Sequence, residues 1–317
     1  MLSRHAENLF WIGRYIERAE DTARLLDVTF HGLLEAGSER TPYQVWSEAL
    51  EMLMLEDEEI EVVPEEIGER LIANRNEPGS LVSTVGRARD NAIATREWLS
   101  SEVFEAINDL HLHMRGTDLV TASRNQPYEV LRVVKTSCHT VTGAVDSAMP
   151  RGEGYRFYLV GQRLERALIT SRVLRVWHGR LGGLASQAAF SEWVRLLRSV
   201  SAYEAYLRTY RASMEESRVL AFLVQAPDFP RSVIHCLQMA ENLLTELATT
   251  ETGSPVRREA GRLRSSVEFA DLVHLDQRGL DHFLGRVEIG VMDLVGSVEK
   301  TYFRPAGTMY MHSYEAF

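Results

Sequence analysis

The segment Phe10 to Arg24 reads Phe-Trp-Ile-Gly-Arg-Tyr-Ile-Glu-Arg-Ala-Glu-Asp-Thr-Ala-Arg, and Tyr158 to Arg172 nearly repeats it. The offset is 148 residues, close to half of the 317-residue chain. Both copies carry Gly-x-x-x-Glu-Arg-Ala-x-x-Thr-small-Arg inside an apolar pattern of helical period. So long a period is far beyond a solenoid unit and points to two duplicated helical halves. Each half then places a Glu-Arg pair in a helix that ought to be buried, where charge must be paired or must bind something.

A second match supports the first. Ser232 to Asn242 lies over Ser80 to Asp90 at an offset of 152, and each stretch follows a turn, Ala226–Pro230 and Asn74–Gly79 respectively. Nearly every long segment has period 3.6 and none alternates convincingly as a strand, so the expected fold is all-α. Helices are expected over Ser3 to Leu34 (with Ser3 a fair N-cap), Tyr128 to Met149, Tyr155 to His178, Phe190 to Met214 and Pro255 to Tyr302. The helix that follows Ser80 should run to about Arg115, with a break near Ser100 and Ser101. Trp46, Leu50, Leu53 and Met54 mark another apolar stripe, and Gly179, Gly182 and Gly183 should close the second Glu-Arg helix. Pro150 to Gly154 is the cleanest internal boundary, dividing a first half, 1–150, from a second, 151–317.

Residues seven apart on a helix fall within about 20° of each other. Gly13, Glu17 and Arg24 therefore share a stripe, as do Gly161, Glu165 and Arg172. Glu17 and Arg18 point about 100° apart and are poorly placed to pair. Arg14 and Asp21 can reach Glu17, but their counterparts are Gln162 and Ile169, so the shared charges should find partners on other helices. In one geometry Glu17 meets Arg166 or Arg172 across a pseudo-two-fold axis and Glu165 meets Arg18 or Arg24, with the two glycines permitting close approach. In the other, each glutamate pairs within its half with Arg87, Arg89 or Arg96. Both make the charges structural, fixing helix register. The alternative makes them a polar pocket in which arginines grip an anion and carboxylates an amine.

The opening Ser3 to Glu20, with its Gly-Arg-Tyr-Ile-Glu-Arg-Ala-Glu, resembles that of the bacterial alpha-E family, an all-helical domain named for its Glu-Arg motif. Arg87 to Glu97 is similar to that family's second signature, with Ile93 where another basic residue is expected. The resemblance covers essentially the whole chain. It implies a setting beside circularly permuted ATP-grasp ligase-like proteins or transglutaminase-like peptidases, in systems that make, attach or trim peptide or amide groups. The chain's own part is then an accessory, scaffold or substrate-binding one. The alternative is a helical enzyme or small-molecule binder whose pocket is walled by Glu17, Arg18, Glu165, Arg166 and the arginines of the following helix.

The remaining signals set bounds. A net charge of −10 disfavours generic nucleic-acid or anionic-membrane binding. No apolar run approaches a membrane span, and the first residues lack a signal-peptide pattern. Cys138 and Cys236 form no CxxC or multi-cysteine framework, so reduced thiols in the cytoplasm are expected. Without Walker A, GxGxxG or HExxH sequences no cofactor is expected, and ATP would come from a neighbouring ligase. No Glu-x-x-His occurs; Asp271 and His274, with Asp276, Asp281 and His282, are the nearest approach to a metal cluster and read as a solvated set. His111 and His113 are separated around their helix. Cys138-His139 and His235-Cys236 are adjacent residues that face apart, although pairing of Cys138 with His235 across the halves stays open. The acidic run Glu56 to Glu61 is a solvated loop or a docking patch for a basic partner, and the aromatic tail Tyr310 to Phe317 is either frayed or packed on a neighbour such as a second copy.

Overall fold

The computed structural model describes residues 1–35, 41–55, 63–181, 186–211, 213–248 and 254–304, and among them every regular element is helical. The first half holds α1 (Ser3–Glu35), α2 (Pro42–Leu53), α3 (Pro64–Ala73), α4 (Leu81–Ala94), α5 (Ser101–Gly116), α6 (Leu119–Asn125) and α7 (Pro127–Ala148). The second holds α8 (Glu153–Leu181), α9 (Ser186–Ser199), α10 (Tyr203–Tyr210), α11 (Glu216–Leu220), α12 (Val233–Leu247), α13 (Ser254–Glu268) and α14 (Gln277–Val298).

Helices α1 and α8 cross at the centre and form the most extensive helix pair. Helices α4 and α7 flank α1, α12 and α14 flank α8, and α2 touches both central helices. This position explains why neither central helix is cleanly amphipathic. In α1, Leu9, Phe10, Ile12, Ile16 and Leu26 are buried on several sides at once, as are Tyr158, Val160, Leu164 and Leu174 in α8. The peripheral α5, α7 and α14 instead bury one stripe, such as Val130, Val134, Cys138, Val141 and Val145 of α7.

Local chemistry sets several boundaries. Ser80 Oγ accepts from the Ser83 amide and donates to the Asn74 carbonyl, while Ser232 Oγ accepts from the His235 amide and donates to Ala226. The two caps, in corresponding turns, thus bond in the same way. The break before α5 is capped by Ser100. Elsewhere the boundaries differ from expectation. Ser3 lies inside the first turn, where the Leu2 carbonyl accepts from His5 and Ala6. The helix expected over Phe190 to Met214 is interrupted because Ser201 takes a left-handed φ of 53°, and α10 ends at Arg211 with φ 58°. The C-terminal helices expected over Pro255 to Tyr302 are α13 and α14, parted between Glu268 and Gln277, where Asp276 accepts from the Gly279 amide at 2.7 Å and starts α14. Helix α8 continues through Gly179 to Leu181, while Gly182 and Gly183 lie outside the described residues. So do the acidic run Glu56 to Glu61 and the aromatic tail.

Candidate functional site

The centre of the molecule is the crossing of α1 and α8, and its contacts are reciprocal. A Cβ on Gly13 would overlap the Tyr158 carbonyl oxygen, and one on Gly161 would overlap that of Phe10. Only glycine allows backbones to approach so closely. One turn further along each helix the Glu-Arg pairs exchange partners. Arg166 grips Glu17 through two bonds of 2.5 and 2.7 Å, and Arg18 donates to Glu165 at 2.6 Å. The two crossed pairs nevertheless sit in different surroundings.

Glu17 is sealed, with 1% of its surface exposed. Arg231, from the turn ahead of α12, enters this region and bonds Asp21 and Glu20 at 2.6 Å each, with Glu17 at 3.1 Å. Arg24 also bonds Glu20 one turn away, and His139 Nε2 lies 3.0 Å from Glu20. Burial opposes the charge of Glu20, yet Arg231, His139 and Arg24 hold its carboxyl well below the usual range. Asp21 goes the other way. Burial, reinforced by the negative Glu17 and Glu20, pushes it up to about 7 despite Arg231. Its Oδ2 has no hydrogen-bond partner.

Glu165 stands at the wall of an open cavity of about 460 Å³. Two guanidiniums share its carboxylate, Arg14 at 2.7 Å and Arg18 at 2.6 Å. Burial would raise its pKa, but those charges prevail and hold it at about 2. Arg14 also lies over the Trp11 ring, 4.8 Å from its centroid, and Trp11 stacks on Tyr15. On the same side of α8, Arg172 and Arg175 share Glu288 of α14, at 3.3 and 2.7 Å. Apolar lining comes from Leu53, Leu55, Leu168 and Val295, and the exposed Met292, Asp293 and Lys300 also line the cavity.

A family model described as a predicted alpha-helical domain with a conserved ER motif matches residues 1–303. The chain belongs to the Alpha-E family. No curated protein and no solved structure matches it.

The charged residues expected from this Alpha-E sequence separate into three groups. Arg18, Glu165, Arg172 and Arg87 line the cavity. Glu17, Arg166 and Arg24 belong to the sealed cluster. Arg89 and Arg96 join neither: Arg89 lies 3.7 Å from neighbouring Asp90, and Arg96 donates to the Leu99 carbonyl and Ser101 hydroxyl beside the start of α5. Of the alternatives, Glu17 takes Arg166, whereas Arg172 goes to Glu288 and Arg24 to Glu20. Arg14 crosses to Glu165 and Asp21 turns to Arg231, so neither bridges to Glu17.

Sequence reasoning missed Arg231 and Glu288. Glu288 carried a signal, falling four residues after Leu284 and three before Val291 on an otherwise apolar stripe. Arg231 carried none, because Glu17, Glu20 and Asp21 are matched in number by Arg14, Arg18 and Arg24 on the same helix. The thiols contribute no nucleophile. Burial raises Cys138 strongly and Cys236 to about 11, leaving both protonated at neutral pH. His139 turns to Glu20, and His235 Nδ1 meets the Pro227 carbonyl. His274 bonds Asp271 at the surface. No group of metal-ligating side chains gathers among the described residues, and no described helix is long and apolar enough to cross a membrane.

Proposed function

We propose that this protein is a substrate-binding component of a peptide- or amide-forming or modifying system, and that the cavity beside Glu165 is its binding site. The observation that carries this reading is the open cavity walled by one crossed Glu-Arg pair, while the equivalent pair is sealed. A motif needed only for register would have no reason to leave one copy accessible. The lining offers fixed charge and apolar surface, and among its described residues there is neither thiol nor imidazole. Those groups suit holding and orienting a small molecule. The chemistry would then fall to a partner, for which the family resemblance points to an ATP-grasp ligase-like or transglutaminase-like protein. We further read the two halves as a duplicated unit, supported by the reciprocal glycine contacts, exchanged ion pairs and matching serine caps.

The reading is tested by thermal denaturation against amino acids, short peptides and their acyl and amide derivatives, with affinity purification from the native host alongside. Saturable stabilisation that Met292→Trp abolishes is expected, together with a ligase-like or peptidase-like protein in the eluate. Met292 is 39% exposed at the cavity, so an indole there blocks entry without disturbing the core. Absence of stabilisation by every compound removes the binding role, and absence of such a partner removes the proposed setting.

A further inference from the structure

The cavity wall carries an imbalance that the fold does not resolve. Each of the two carboxylates beneath it is shared by two arginines. Glu165 answers Arg14 and Arg18, and Glu288 answers Arg172 and Arg175. At Glu288 the division is unequal, because Arg175 lies at 2.7 Å and Arg172 at 3.3 Å. Arg172 is only 5% exposed, and its Nη2 has no hydrogen-bond partner. Burial lowers its pKa against the pull of Glu288 and Glu165, as befits an under-compensated cation. A buried charged donor left unmatched is costly, and an oxyanion seated there would remove that cost. Arg18, with its side chain 28% exposed, lines the same cavity and leaves a second guanidinium within the wall.

The rest of the wall limits what the anion can be attached to. Trp11, Leu53, Leu55, Leu168 and Val295 present more apolar than polar surface. Among the lining residues Arg14, Arg18, Arg87, Arg172 and Lys300 outnumber Asp21, Glu165 and Asp293, so the wall favours an anion. We propose that the ligand is a carboxylate with an apolar body, its oxygens held by Arg172 and Arg18 and its hydrocarbon lying along Trp11, Leu55 and Leu168. This rests on the cavity being a binding site and specifies what that site selects.

The test is calorimetric titration of the whole chain with octanoate, octanamide, octylamine and inorganic phosphate. Octanoate should bind saturably, with the amide and the amine weaker by about tenfold or more, since a charge-assisted hydrogen bond is lost in each. Arg172→Gln should remove that preference while leaving the weak amide binding in place. If Arg172→Gln does not fold, Met292→Trp and the four-probe series decide the matter. Equal binding of octanoate and octanamide, blocked by Met292→Trp, overturns the carboxylate assignment and leaves the binding role standing. Phosphate binding without octanoate binding overturns it too. If none of the four binds, the carboxylate assignment fails, and the peptide and amino-acid screen separately decides whether the cavity binds anything.

Discussion

Glu17 and Glu165 occupy equivalent places in the repeat and receive equivalent arginines, yet one lies in a sealed cluster and the other beside an open cavity. The difference comes from their neighbours. Three and four residues beyond Glu17 stand Glu20 and Asp21; beyond Glu165 the same positions hold Leu168 and Ile169. Arg231 answers the first pair and fills the space beside them. At the offset of 152 its counterpart is Gly79, which has no side chain and lines the cavity. Where Arg231 inserts a guanidinium, Gly79 inserts nothing, and the Leu55 side chain packs against its backbone beside the cavity. A repeated motif can therefore hold one helix crossing from both sides and still meet this cavity with one copy of its glutamate, Glu165.

The sharpest way to break this comparison is to remove the plug. Arg231→Met leaves Glu17, Glu20 and Asp21 without their common cation, and breaking a buried pair of this kind costs about 4 kcal/mol. Urea unfolding should show a lower midpoint with an unchanged slope. A loss below 1 kcal/mol would mean that water already reaches the cluster and that the two sides are alike.

The crossing itself should be less forgiving than any surface contact. Gly161→Ala sets a methyl group against the Phe10 carbonyl, a backbone atom that cannot rotate away. Overpacking of that kind costs about 3 kcal/mol, and Gly13→Ala, against Tyr158, should cost the same. Equal losses, read by thermal melts, would sharpen the reciprocity; a marked inequality would show that the halves meet off-axis.

The two glutamates can then be compared directly. Glu17→Gln leaves Arg166 without its carboxylate away from the cavity, whereas Glu165→Gln leaves Arg14 and Arg18 at the cavity wall, where water can approach them. The first change should cost about 2 kcal/mol more than the second. The same denaturant series measures both, and equal costs would contradict the division into sealed and open sides.

Much of this crossing was legible in the repeat. Two glycines in register with two Glu-Arg pairs allowed close approach with exchanged partners as one of two geometries, the other pairing each glutamate within its half, and the structure has Arg166 on Glu17 and Arg18 on Glu165. The Ser80 cap was legible because capping is a contact between residues three apart, although the same reading misplaced Ser3, which lies inside α1. What stayed hidden depends on distant chain segments. Arg231 is more than 200 residues from its carboxylates, and nothing within its own turn marks it for them. Glu288 stood out as an acid on an apolar stripe, but the identity of its partner requires knowing which face of α8 meets α14. Helical angle placed Arg18 and Glu17 on different sides of α1; only the packing of α2 and α14 shows which side is open.

The smallest expected effect concerns Asp21, which lines the cavity and also contacts the sealed cluster. It faces Arg231 ahead of α12, Arg166 on α8, and Glu17 and Glu20 on its own helix. With burial leading, its carboxyl is pushed up from 3.8 to about 7, so the folded protein keeps a proton that the unfolded chain releases. Stability from this group is therefore present at low pH and falls as pH rises from about 4 to 7. Glu165 acts oppositely, because a carboxyl held at about 2 contributes stability above 4.5 that is lost as pH drops toward 2. Glu20, also depressed, adds to that acid-side loss. The two trends place the stability maximum between them, near pH 4 to 5 by these shifts. Asp21→Asn keeps an acceptor for Arg231 but carries no proton to lose, so its stability should stay flat between pH 5 and 7 where the parent declines by about 1 kcal/mol. Parallel slopes for the two proteins across that window would assign the decline to some other group and leave Asp21 an ordinary partner of Arg231.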